Sequence, residues 1–124
     1  MAKAAEIMDR EFSGILPNLQ ATKDALMTML SRYGAQPNGD QRFALPCVLN
    51  VRIPGVDAEG FFAAQKDHYA VSNGSACNSG SYKPSYVLQA MGFGETRISE
   101  SLRISWWTER FDMQPFEQDL SECQ

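Results

Sequence analysis

One of the three cysteines stands in a setting suited to chemistry. Cys77 lies inside residues 73–81, NGSACNSGS, a run of small polar residues and glycine. A thiol that attacks one sulfur and then delivers its cargo elsewhere needs exposure and a backbone able to move. Gly74 and Gly80 supply that freedom. So polar a stretch buries little surface, which predicts a mobile loop made of Ser72, Asn73, Gly74, Ser75, Ala76, Asn78 and Ser79 around the thiol. The competing reading is a small buried hydrophobe, the ordinary fate of a lone cysteine; the polar, glycine-bearing surroundings favour the nucleophile. Ser75, Asn78 and Ser79 can hydrogen-bond the loop itself or a ligand, and their types do not decide between the two.

Arg103 is the second candidate. In LRISW it alternates out of an apolar strand face, where its planar fork can take a carboxylate in bidentate fashion or simply face solvent. Spacing alone leaves both open. His68, between Asp67 and Tyr69 at the end of a predicted helix, reads as a surface histidine or a partner of the helix C-terminus rather than a catalytic base. Cys47 falls on the apolar face of a strand and reads as core, while Cys123, one residue from the end, reads as a frayed thiol. Three cysteines at wide spacings, with His68 the sole histidine, suggest neither a disulfide framework nor a metal site.

The elements that position these residues follow from periodicity. Apolar residues recur at helical spacing from Ala4 to Tyr33, interrupted by Gly14 and Pro17, where a break or kink is expected; Gly34 is the stop. Residues 35–42, AQPNGDQR, predict a loop and the sole internal linker candidate. Over 47–53 the odd positions are apolar and Asn50 and Arg52 polar, the period-2 pattern of a half-buried strand, which Pro54 and Gly55 end. Asp57 caps a helix through Phe61, Phe62 and Ala64, and residues 69–72 form a short strand. A helix opens at Pro84 and ends before Gly92. In the strand at 102–106, Leu102, Ile104 and Trp106 share one face and Arg103 and Ser105 the other; residues 112–120 form a short final helix. Together these predict an α+β fold, a small, mostly antiparallel sheet covered by helices.

Composition narrows the function classes. A length of 124 residues suits a single core. No apolar stretch approaches the roughly 20 residues of a membrane span, and the acidic, polar start MAKAAEIMDREF is unlike a signal peptide, so a cytoplasmic protein is expected. A net charge of −4 without a Lys/Arg cluster argues against nucleic acid and anionic membrane as partners.

Taken in order, LPCVLNVRIPGVDAEGFFAAQ, YAVSNGSACNSGSYKPSYVLQAMG and LRISW resemble the C-terminal part of cysteine desulfurases, pyridoxal-phosphate-dependent enzymes of the class-V aminotransferase family. The likeness runs over about residues 45–106 and centres on the S-x-G-S-A-C loop followed by x-P-S-x-V-L-x-A-M-G. It implies the small domain of a fold-type-I enzyme, with 1–34 as linking helix, 35–44 as loop and 45–124 as α+β core carrying the Cys77 loop. It also implies a chemistry of sulfur transfer: the loop cysteine, here Cys77, accepts sulfur from L-cysteine as a persulfide with release of alanine, and Arg103 matches the arginine that grips the substrate carboxylate.

The sequence departs from that family in what it lacks. The large domain, with the lysine that holds pyridoxal phosphate, lies upstream of the matched region, and no lysine, ring histidine or aspartate of this chain stands in a matching context. The family's glycine two residues after the last strand's serine is displaced, with Trp107 near that point. No cofactor-binding residue is therefore assigned, and the chain alone is not expected to be active. The expected partners are a cofactor-binding large domain on another chain or a complete desulfurase, a sulfur-acceptor protein, L-cysteine and a second copy of this chain. The alternatives are a non-catalytic sulfur-relay or binding module charged by a complete desulfurase, and an inactive structural fragment.

Overall fold

Two stretches of alternating apolar and polar residues build the centre of the molecule. The computed structural model describes residues 2–65, 68–69, 71–72, 84–107 and 112–123. Its elements are α1 (Ala2–Ser31), β1 (Gln36–Pro37), a 3-10 turn (Gln41–Phe43), β2 (Val48–Arg52), α2 (Ala58–Gln65), β3 (Val71–Ser72), α3 (Tyr86–Ala90), α4 (Glu95–Ser99), β4 (Ser101–Ser105) and α5 (Met113–Glu122). The strands form one antiparallel sheet in the order β1-β2-β4-β3. The predicted α+β class and mostly antiparallel sheet hold.

Because side chains alternate along a strand, pairing Leu49 with Ile104 and Val51 with Leu102 puts all four on one face, where Val71 joins them. These side chains pack with Leu26, Met29 and Leu30 of α1, Phe61 of α2, and Phe116 and Leu120 of α5. Phe116 meets the rings of Phe61 and Tyr69 edge to face, at 5.6 Å and 5.2 Å, a geometry each worth about 0.5–1.5 kcal/mol beyond area burial. Trp106 ties α1 to the end of β4, its indole N–H donating to the carbonyl of Leu19 at 3.3 Å.

Where a break or kink is expected, at Gly14 and Pro17, α1 does not break. Pro17 is exposed, so the carbonyl it deprives of a partner can be hydrated, and the helix continues. Burial begins only at Leu19; nothing described before it is buried. Gly34, at φ +67°, closes the helix as expected, with Ala35 N–H reaching back to the Leu30 carbonyl.

Residues 35–42 are not simply a loop. Gln36–Pro37 pairs with β2 as an edge strand, where Pro37's missing N–H is tolerated, and Asp40 caps the 3-10 turn. The α3 boundary also differs, because Ser85 is the N-cap, its hydroxyl accepting from Leu88 N–H, which leaves Pro84 outside the helix. Asp57, Gly92 (φ +83°) and the last helix, capped by Asp112, stand as predicted. No described helix is long and apolar enough to cross a membrane.

Candidate functional site

The sheet's other face is polar and half-exposed, and a row of residues crosses it. Arg103 on β4 pairs with Asn50 of β2 on one side and Ser72 of β3 on the other. Beyond Asn50, Asn38 at the end of β1 donates its backbone N–H to the Asn50 carbonyl at 2.9 Å. The row thus reads Asn38, Asn50, Arg103, Ser72, with neighbouring Cβ atoms about 4.5–5.5 Å apart by the spacing of paired strands.

Three arginines serve this face or its margin, and their partners differ. Arg97 of α4 is fully engaged: Nε donates to Asn38 Oδ1 at 2.8 Å, Nη1 to Gln36 Oε1 at 3.3 Å and Nη2 to the Pro37 carbonyl at 3.3 Å, and the guanidinium lies over the Phe93 ring. Arg52 pairs with Glu100 at 2.7 Å, whose other oxygen accepts from Gly55 N–H at 3.0 Å. That N–H, and with it the Arg52 guanidinium, holds the Glu100 carboxyl below the usual range against its partial burial. Arg103 is half-buried, and among the described residues its side chain makes no ion pair and no hydrogen bond. A guanidinium kept from neighbouring carboxylates on a polar surface is available to an anionic ligand.

Of the residues singled out by sequence, Arg103 and Ser72 come together here, Ser72 lying in register with Arg103 at the point where the chain enters residues 73–83. Asn73, Gly74, Ser75, Ala76, Cys77, Asn78 and Ser79 lie outside the described residues. Cys47 is half-buried and packs against the core, in keeping with its expected structural role. Cys123 is exposed at the end of α5, where partial desolvation, then Asp119 and Glu122, push its thiol pKa up and away from nucleophilic use. His68 is exposed, with Nδ1 3.2 Å from Gln65 Oε1, a surface residue as predicted.

Periodicity missed the support beneath this row. Asn38 is 7 % exposed and its amide is engaged at both ends: Nδ2 donates to Asn50 Oδ1 at 2.7 Å and Ser101 Oγ at 2.8 Å, while Oδ1 accepts from Arg97. Its sequence signal was the Asn-Gly pair at 38–39, read as a turn former, and Gly39 at φ +83° is indeed a turn. α4 left no readable periodicity because it has five residues and one buried side chain, Ile98.

The described residues do not make a site for pyridoxal phosphate. Lys3 is exposed and paired with Glu6 at 3.0 Å; Lys23 is buried on α1, its Nζ 3.3 Å from the Leu45 carbonyl. The buried half of α1 packs on the apolar face, opposite Arg103, which puts Lys23 on the far side of the sheet from that arginine. Nor do the described residues include a cluster of three or more metal-ligating side chains.

No model of a protein family matches the chain. Cysteine desulfurase IscS of Pectobacterium carotovorum is 36 % identical over 106 residues, which is 85 % of this chain but 26 % of that protein. The same enzyme from Haemophilus influenzae is 35 % identical over the same shares. The chain therefore spans about a quarter of the length of these curated relatives. Among solved structures, DndA from Streptomyces lividans superposes with a TM-score of 0.63 at 34 % identity, over 87 % of this chain and 30 % of that one. A NifS-like protein superposes at 0.75 with 22 % identity, over 98 % and 32 %, a likeness of fold.

Proposed function

We propose, for a chain homologous to the C-terminal region of cysteine desulfurases, that residues 1–124 act as one domain, the small-domain component of such an enzyme. In this reading Cys77 receives sulfur from L-cysteine while Arg103 grips the substrate carboxylate. The Cys77 thiolate attacks the substrate sulfur, the substrate C–S bond breaks with its electron pair going to carbon, and that carbon takes a proton to become the methyl group of alanine. The sulfur stays on Cys77 as a persulfide. Pyridoxal phosphate, the family's cofactor, is supplied by the family's large domain, and a sulfur-acceptor protein completes the partners.

The observation that carries the reading is Arg103 itself, a half-buried guanidinium without a protein partner among the described residues, in register with Ser72 at the entrance to the Cys77 segment. Large apolar side chains left in the open, among them Phe43 at 85 % and Tyr86 at 80 % exposure, support a docked partner. The test is reconstitution with a cofactor-loaded desulfurase large domain, measuring alanine release. Release should require this chain, and Arg103→Lys, which keeps the charge but loses the fork, should raise KM about tenfold or more with the fold intact. Alanine released at full rate without this chain would make it a relay charged by another enzyme, and unchanged kinetics in Arg103→Lys would remove Arg103 from the site.

A further inference from the structure

Amide orientations beside Arg103 can be deduced from the charged group that anchors them. A guanidinium only donates, so the Asn38 atom 2.8 Å from Arg97 Nε is its oxygen. That turns Asn38 Nδ2 toward Asn50 and Ser101, and since an NH2 group also only donates, the Asn50 atom 2.7 Å away is Oδ1. Ser101 fits the same chain, accepting from Asn38 and passing its own hydroxyl proton to the Arg97 carbonyl at 2.6 Å. The consequence falls on Asn50. With its oxygen held on the β1 side, its NH2 group is turned away from β1, and the residue paired with Asn50 on the opposite side is Arg103 of β4. Among the described residues nothing accepts a hydrogen bond from that NH2 group.

We propose that Asn50 is a second donor to the substrate carboxylate, its NH2 group and the Arg103 guanidinium converging on one anion, with Asn38 as the positioning residue that keeps Asn50's oxygen turned away. The proposal rests on the reading of Arg103 as a carboxylate site and adds a specificity element to it. Arg103 alone attracts any small anion. Arg103 with a fixed neutral donor on its β2 side favours a planar carboxylate presented in one orientation. The buried network explains why a half-exposed amide would hold one orientation, since rotating it would set the NH2 groups of Asn38 and Asn50 against each other over a buried residue.

The test uses the isotopically labelled full chain and L-alanine, which carries the amino-acid carboxylate without a thiol, with L-alaninamide as the uncharged control. In the unaltered chain, the Arg103 Nε–H and Asn50 side-chain NMR resonances should move together on adding L-alanine and stay still with alaninamide. Asn50→Ala should weaken L-alanine binding by about tenfold, the usual effect of losing a hydrogen bond to a charged group. Asn50→Asp, isosteric and still able to accept from Asn38, should weaken it further by placing a like charge beside the carboxylate. Asn38→Asp keeps the acceptor for Arg97 but can no longer donate to Asn50. The Asn50 NH2 group should then turn toward β1 and stop responding to L-alanine while the Arg103 signal still moves, an outcome that mere loss of structure would not produce. If Asn50→Ala fails to fold, the two aspartate variants carry the test. L-alanine bound as tightly by the Asn50 variants as by the unaltered chain, with Arg103 still responding, overturns the inference and leaves the Arg103 reading standing. If Arg103 does not respond in the unaltered chain, that reading falls and this one with it.

Discussion

The two faces of the sheet are made from adjacent residues and do different work. Leu102 and Ile104 point into a core sealed by α1, α2 and α5 and are at most 1 % exposed. Arg103, between them, stands half-buried on a face whose other arginine, Arg52, is paired with Glu100, while Arg103 has no such partner among the described residues. The apolar face is closed by contacts within the chain, whereas among the described residues no helix packs over the polar face beside Arg103. Stability and ligand recognition should therefore separate at the level of single neighbouring residues.

The sharpest way to break this contrast is a pair of alanine substitutions one residue apart. Leu102→Ala removes a fully buried side chain from the centre of the sheet and should cost about 2–5 kcal/mol of unfolding free energy, read by denaturant titration. Arg103→Ala should stay within about 0.5 kcal/mol, because the guanidinium makes no hydrogen bond or ion pair among the described residues. Equal losses would mean that Arg103 is a structural residue and that the faces do not divide as described.

Part of this division is legible in the sequence. Alternation over 47–53 and 102–106 identifies β2, β4 and the side of each residue, because a half-buried strand writes its burial directly into period-2 composition. The remainder depends on contacts that no local pattern carries. Gln36–Pro37 is too short and polar to read as a strand, and its place is fixed by pairing with β2. Asn50 was visible as a polar alternation position, but its orientation depends on Asn38, twelve residues away, and on Arg97 in a helix that periodicity could not detect. For Cys77 the sequence remains the whole case, since residues 73–83 lie outside those described.

Glu100 marks the border between the faces and gives a pH-dependent refinement. Its folded carboxyl is held below the usual value, so its contribution is present above the unfolded pKa and is lost as pH falls through the lower folded value. Glu100→Gln should cost about 1–2 kcal/mol at neutral pH, and the difference from the unaltered chain should shrink as the buffer is acidified below the ordinary carboxylate range. A difference independent of pH would mean that the Gly55 and Arg52 contacts do not favour the ionised form.

A smaller loss than that of Glu100→Gln is expected at Tyr69, on the core side. Its hydroxyl donates to Asp119 at 2.8 Å, and burial first, then that carboxylate, push its pKa up to about 12. Here the folded pKa lies above the unfolded one. The contribution is therefore full below about pH 10 and fades as pH rises through the folded value. Tyr69→Phe should cost about 1 kcal/mol at neutral pH by thermal unfolding, with the ring packing on Phe116 preserved. A loss of several kcal/mol would place Tyr69 among the residues that define the core.

The most direct test of the account is to locate the transferred sulfur. The chain is incubated with L-cysteine and a cofactor-loaded large domain or a complete desulfurase, persulfides are trapped by alkylation, and the three cysteine peptides are mapped by mass. The account predicts a gain of one sulfur atom on the peptide containing Cys77, none on those containing Cys47 or Cys123, and complete loss of loading in Cys77→Ser. Sulfur recovered on Cys47 or Cys123, or undiminished loading in Cys77→Ser, would contradict it.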